Sequence, residues 1–235
     1  MDGTIERIDV VVQPAAERAR RLLVTDMDST VITVECIDEL ADYAGVKAEV
    51  AAITGQAMRG ELDFAAALRA RVALLRGLDA ATIDRCHVER VRLMPGATTL
   101  VRTMRARGAA TLLVSGGFTV FADRVAAEIG FDRSISNRLG TVDGLLDGTV
   151  SEPILGAASK RAALIEAAAA RNVPIGATLA VGDGANDAPM LAAAGLGIAY
   201  HGTPSAEAAA DAAIRHNDLS ALLYAQGIPR RDWRD

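Results

Sequence analysis

The chain has 235 residues, 51% of them apolar but only 3% aromatic, and a formal net charge of −5. This length suits one large domain or a domain with a modest insert, with Ala, Val, Leu and Ile left to fill the core. The acidic balance argues against nucleic acid as the main partner, because a phosphate backbone needs clustered Lys and Arg; a small anionic substrate held by a few local cations remains open. Cys36 and Cys86 give neither a disulfide framework nor metal-ligand pair spacing, and read as reduced thiols. No apolar run approaches the ~20 residues of a membrane span. The polar, acidic N-terminus, Met1 to Arg7, is unlike a signal peptide. The expected location is therefore the cytoplasm, with no membrane partner.

In chain order, the β-branched stretch Ile8–Val12 predicts a short strand. Arg21–Thr25 (RLLVT) predicts a buried strand running straight into Asp26-Met27-Asp28-Ser29-Thr30. From about Glu35 to Arg92 strand runs are missing and the pattern is helical, with stops expected at Gly45, Gly55, Gly60 and Gly77. A regular alternation begins near Pro95. Helix Ala97–Arg107 closes at Gly108, and strand Ala109–Val114 ends in Ser115-Gly116-Gly117. Helix Phe118–Ile129 closes at Gly130. Two Asp-Gly pairs, Asp143-Gly144 and Asp147-Gly148, read as hairpin turns. Helix Ser159–Arg171, strand Ala177–Val181 ending in Gly182-Asp183-Gly184, helix Asn186–Ala194 and strand Leu196–Ala199 follow.

Strands alternating with helices predict an α/β fold with a parallel sheet covered on both faces. Ligands of such sheets sit beyond the carboxyl ends of the strands, where DMDST, SGG and GDGAND would converge. The helical block at 33–92 then reads as an insertion over the site, a cap, leaving 1–32 and 93–235 as the core.

Taken alone, each acidic loop is an ordinary Asp-rich turn, and a single lysine is usually a solvated one. Together they have a chemistry. Asp26 and Asp28 crowd each other at one strand end and Asp183 joins from another, a concentration of charge that is costly unless a hard cation neutralises it. Oxygen ligands suit Mg²⁺, which commonly binds one or two carboxylates plus a substrate phosphate. Ser115 and the N–H groups after it can cradle phosphate oxygens, and Lys160 can supply positive charge. An aspartate beside metal and phosphorus is a plausible nucleophile, with a neighbouring carboxylate as general acid and base.

These residues resemble the haloacid dehalogenase superfamily of phosphatases: DMDST fits its first motif, Ser115 its second, Lys160 its third and GDGAND its fourth, in the required order. Finer wording is similar to the phosphoserine phosphatase family: DMDSTVITVECIDELA, MRGELDFAAALRARVALLRG, SGGFT, SNRL and VGDGANDAPML. The resemblance implies a Rossmann-like core with a helical cap inserted after the first core strand. It also implies hydrolysis of O-phospho-L-serine to serine and phosphate through a phosphoaspartate, with Mg²⁺ as cofactor, as the last step of serine formation. By position it makes Asp26 the nucleophile and a metal ligand. Asp28 becomes general acid and base and ligates through its backbone carbonyl. Asp183 becomes a metal ligand supported by Asp187. Glu35 receives the substrate amino group and Arg71 its carboxylate, while Met58 and Phe64 close the cap. Ser115, Gly116 and Lys160 hold phosphate, with Asn186 near it. The physics is compatible, since Arg suits bidentate carboxylate recognition.

Three other readings share these loops. One is phosphate transfer from phosphoserine to another hydroxyl acceptor, and a second is hydrolysis of a different small phosphate ester. The third is a non-enzymatic phosphoacceptor module, against which the cap and Asp28 count. Two positions depart from the family wording: Ala188 stands where a bulkier residue is usual, and Thr203 where Lys is common. The stretch before residue 21 is too short for the N-terminal regulatory domain of some relatives, so ligand feedback through one is not expected. A monomer or homodimer is expected.

Overall fold

The computed structural model describes residues 7–15, 18–58 and 61–235. Six parallel strands form one sheet in the order β3-β2-β1-β6-β7-β8. These are β1 (Leu22–Thr25), β2 (Ala110–Phe118), β3 (Arg133–Asn137), β6 (Thr178–Gly182), β7 (Gly197–Tyr200) and β8 (Ala212–Ile214). A separate antiparallel hairpin joins β4 (Leu139–Val142) to β5 (Leu145–Val150).

The side-chain alternation of β1 shows why both faces must be covered. Leu23 points into one apolar cluster with Leu100 and Met104 of helix α5 (Ala97–Ala106) and Phe121 and Val125 of α6 (Thr119–Ile129). Leu22 and Val24 point into the other, with Leu164 and Ala168 of α7 (Ala157–Ala170) and Met190 and Leu191 of α8 (Ala188–Ala193). All four residues of β1 are buried, as expected of a central parallel strand. Its register pairs Leu22 with Ala110 and with Thr178, and Thr25 with Leu113 and with Val181. β1, β2 and β6 are thus level neighbours, and their C-terminal loops emerge side by side. Strand order reverses between β1 and β6, where an open α/β sheet places its crevice.

Between β1 and α5 the described residues form four helices: α1 (Cys36–Ala44), α2 (Lys47–Met58), α3 (Phe64–Leu74) and α4 (Ala81–Arg90). Gly45, with a left-handed backbone, closes α1 through bonds from its N–H to the carbonyls of Ala41 and Asp42. Asp63 caps α3 by accepting from the Ala66 N–H at 2.7 Å. The hairpin is tied to this helical block by backbone bonds from Gly77 N to Leu146 O, Leu146 N to Leu78 O and Ala80 N to Gly144 O. Short helices α9 (Pro204–Ala209) and α10 (Ala221–Ala225) complete the chain's C-terminal part. Among the described residues, no helix is long and apolar enough to cross a membrane.

Several sequence expectations need correction. Ile8–Val12 is not a strand: Ile8, Val10 and Val12 face solvent, and the segment is held instead by Asp9, whose carboxylate accepts from the N–H groups of Arg215, His216 and Asn217. Gly55 lies inside α2 and does not stop it; Gly60 lies outside the described residues. β2 does not end at Val114 but runs on through Ser115-Gly116-Gly117 to Phe118, with an irregular register against β3. Asp143-Gly144 is the hairpin turn, both residues having positive φ, as the primed two-residue turn demands. Asp147-Gly148 is not a turn but an irregularity within β5, where the Asp147 carboxylate accepts from the N–H and hydroxyl of Thr149.

Candidate active site

A cavity of about 320 Å³ opens above the carboxyl ends of β1, β2 and β6. Its floor carries Asp26, Asp28, Gly116, Asp183 and Asn186, and its opposite wall carries Glu35, Met58, Phe64 and Arg71. Ser115, Lys160 and Asp187 do not line it; they lie buried beneath the floor.

The local sequence explains the floor. Asp26 stays in register with the sheet through its N–H to Val181 O, at 2.9 Å. The chain then wraps around the Met27 carbonyl, which accepts from Thr30, Val31 and Ile32, and Met27 itself is fully buried as the anchor of the turn. Ser29 takes a left-handed backbone (φ 54°), uncommon for a residue with a Cβ. The reward is local: its hydroxyl donates to Glu35 Oε1 at 2.7 Å, and the next hydroxyl, Thr30, donates to Asp183 Oδ1 at 2.7 Å. Two glycines allow groups to approach closely. A Cβ on Gly117 would stand 2.7 Å from Asp28 Oδ2, and one on Gly182 would stand 2.4 Å from Asp187 Cγ.

Lys160 organises the charges. Its ammonium sits 2.6 Å from Asp26 Oδ2 and 2.7 Å from Asp187 Oδ1, with all three side chains almost fully buried. The second oxygen of Asp187 accepts from the N–H groups of Asp183 and Gly184 at 3.1 and 3.0 Å. Burial alone lowers a lysine's proton affinity, but the two carboxylates overcome it and hold the ammonium charged. Asp26 is pushed well up by burial and by Asp187, against the pull of Lys160. Burial, then Glu35, raise Asp28 to about 7, although the Cys36 N–H donates to its carboxylate. Burial raises Asp183 to about 6, with Asp187 and Glu35 adding to it and the Thr30 hydrogen bond opposing.

Beyond burial, these raised values follow from neighbouring carboxylates that one lysine does not balance. Carboxylate oxygens of Asp26, Asp183 and Asp187 lie within 4.8 Å of one another. The donor set is hard oxygen, and a divalent cation there would relieve the repulsion, so the residues fit a metal ion. Both Asp187 oxygens already receive N–H donors, which suits it to supporting the site more than to ligating directly.

On the wall, Arg71 is half-buried and keeps its Nε within 3.3 Å of the Ala67 carbonyl. Burial lowers its proton affinity, and Asp38 and Glu35 oppose that fall. Met58 is 83% exposed, on the lip of the cavity. Residues that sequence reading did not assign to the site include Ile37, Thr54 and Leu68 of the cavity lining, Ser29 and Thr30 of the turn, and Asn137. The amide of Asn137 donates to Gly116 O and Leu155 O and accepts from Leu155 N. Ser29 and Thr30 lay within DMDST and Asn137 within SNRL, so a motif signal existed; their partners are set by the fold.

An α/β sheet with an acidic, lysine-braced crevice at its switch point defines a hydrolase class. The haloacid dehalogenase-like hydrolase family model matches residues 23–192, and the chain belongs to that family. Relatives that the chain matches include phosphoserine phosphatases. One from Polaromonas sp. is 48% identical over 86% of this chain and 88% of its own length. One from Streptomyces coelicolor is 47% identical over 96% of this chain, and this chain spans 55%, about half, of that relative's length. A solved structure of a phosphoserine phosphatase with a phospho-aspartyl intermediate analogue superposes with a TM-score of 0.81 at 36% identity, over 88% of this chain and 98% of that one.

Replacing Lys160 by Met leaves two buried carboxylates without their cation. In chelator, urea unfolding should show a loss of about 3–5 kcal/mol near pH 8. Asp26, already raised in the folded state, then rises further. The folded protein keeps a proton that the unfolded chain releases, so the deficit should shrink as pH falls towards about 5. A deficit that is small or independent of pH contradicts this charge balance.

Proposed function

We propose that the protein is a cytoplasmic, Mg²⁺-dependent phosphoserine phosphatase that hydrolyses O-phospho-L-serine through a phosphoaspartate on Asp26. In this reading 1–32 and 93–235 form the catalytic core and 33–92 the cap that selects substrate. The observation that carries it is the pairing of chemistries in one cavity. Asp26 and Asp28 lie on the floor, where phosphorus must come, and an anion, Glu35, and a guanidinium, Arg71, stand on the wall. A zwitterionic amino acid bearing a phosphate is complementary to that set: ammonium to Glu35, carboxylate to Arg71, phosphate to the floor. The names of the relatives agree with this assignment.

Asp26, Asp183 and the Asp28 backbone carbonyl would hold Mg²⁺, with Asp187 in support; the ion supplies neutralisation of charge between carboxylate and phosphate. The Asp26 carboxylate attacks phosphorus while Asp28, near 7 and so able to hold a proton around neutrality, gives that proton to the departing serine oxygen. Lys160, beside Asp26, pulls the nucleophile towards its ionised form against burial and Asp187, and from beneath the floor its charge offsets that growing on the phosphoryl oxygens. The Ser115–Gly116 loop and Asn186 hold those oxygens. Asp28, now a carboxylate, takes a proton from water, which attacks the phosphoaspartate and releases phosphate. Met58 and Phe64 limit water during the first step. Two free, buried thiols, Cys36 and Cys86, suit a reducing compartment.

Asp26→Asn should lower phosphoserine turnover by roughly a thousandfold or more and abolish labelling by beryllium fluoride; appreciable residual turnover would remove Asp26 from its role. Glu35→Gln should raise KM for phosphoserine on the order of tenfold or more while leaving an aryl phosphate, which has no amino group, almost unchanged. Equal losses on both substrates would make Glu35 a structural residue.

A further inference from the structure

We infer that Gly156 is a positioning residue: with Gly116 it forms a seat for the Phe64 ring that fixes how deeply the helical block closes over the site. The inference rests on the phosphatase reading above. Phe64 is the first residue of α3 and belongs to the helical block. Gly116 lies near the end of β2, and Gly156 lies at the start of α7. A Cβ on Gly116 would stand 3.0 Å from Phe64 Cζ, and a Cβ on Gly156 would stand 3.1 Å from Cδ1, 3.5 Å from Cε1 and 3.7 Å from Cγ. The ring therefore lies against bare backbone at both positions, so close that a Cβ at either would push it away by a few tenths of an ångström.

The two halves of the seat are one unit. Asn137, 2% exposed, donates to Gly116 O at 2.8 Å and to Leu155 O at 3.2 Å, and accepts from Leu155 N at 2.8 Å. It staples the end of β2 to the residue preceding Gly156. Gly156 in turn is the N-cap of α7, and its carbonyl accepts from the Lys160 N–H at 3.1 Å. The segment before Gly156 holds α3 a second time, through Arg69, whose Nε and Nη2 both donate to Glu152 Oε1, at 3.1 and 2.5 Å. A ring resting on this seat reports to the phosphate loop on one side and to the helix carrying Lys160 on the other. Gly156 has an extended backbone, φ −122° and ψ −159°, which alanine also adopts, so its missing side chain answers to the ring and not to backbone strain.

The experiment is a double-mutant cycle of Gly156→Ala and Phe64→Leu in the full chain with Mg²⁺. It is read by kcat and KM for phosphoserine, by Tm, and by deuterium exchange of the first turn of α3. Gly156→Ala should raise KM on the order of tenfold, the scale of a displacement of a few tenths of an ångström in a closing site, and speed exchange at α3 with Tm nearly unchanged. Adding Phe64→Leu, whose smaller side chain makes room, should return exchange to that of Phe64→Leu alone and add little further KM cost. Unchanged KM and exchange in Gly156→Ala, or effects of the two substitutions that simply add, would overturn the inference. So would a fall in Tm that the second substitution does not relieve. If the unaltered protein fails to turn over phosphoserine, the substrate assignment fails instead, and the exchange arm still decides the seat.

Discussion

The site depends on a buried ammonium held between two buried carboxylates. Lys160 comes from α7, Asp26 from the end of β1 and Asp187 from the loop after β6, and all three meet with their side chains almost fully buried. Bringing these charges together costs several kcal/mol per ion in desolvation, and the mutual attraction repays it only with good geometry and further hydrogen bonds. The surrounding structure supplies both. Level registers of β1, β2 and β6 bring the three loops together, and Gly182 lets Asp187 lie against the strand. The N–H groups of Asp183 and Gly184 satisfy the oxygen that Lys160 leaves free. The arrangement still carries an excess of negative charge, seen in the raised values of Asp26 and Asp183. A divalent cation between Asp26 and Asp183 would offset that excess.

The turn after Asp26 connects catalysis to recognition. Ser29 and Thr30 follow Asp28 directly, yet their hydroxyls hold acids on different sides of the cavity, Glu35 and Asp183. One short, tightly wound segment therefore fixes Asp26, Asp28, Glu35 and Asp183, the four acids to which the proposed reaction assigns attack, proton transfer, amine recognition and metal binding. The left-handed backbone at Ser29 is the conformational cost of that economy.

Much of this was legible in the sequence because it rests on short-range signals. RLLVT running into DMDST, the apolar run before SGG and the apolar run before GDG each declare a buried strand with a polar loop, and the parallel sheet follows from the intervening helices. Lys160 was legible as a participant only through motif order; nothing local distinguishes it from a solvated helix lysine. What the sequence hid lies in long-range contact. β3 (RSISN) is too polar and β8 (AAI) too short to stand out. The β-branched Ile8–Val12 looked like a strand because propensity does not reveal whether a partner edge is available; here the segment is held by the Asp9 carboxylate on the N–H groups that follow β8. The dual grip of Asn137 joins residues 21 and 18 positions apart, and no periodicity encodes it.

The most direct test of the account is to identify the atom that carries the phosphoryl group. Phosphoserine mixed with enzyme and Mg²⁺, acid-quenched within a turnover, reduced with borohydride and digested should show homoserine in place of Asp26 by mass spectrometry, and Asp28 unmodified. Reduction at Asp28, a phosphoester on Ser115, or no adduct during demonstrable turnover would contradict an Asp26 nucleophile braced by Lys160.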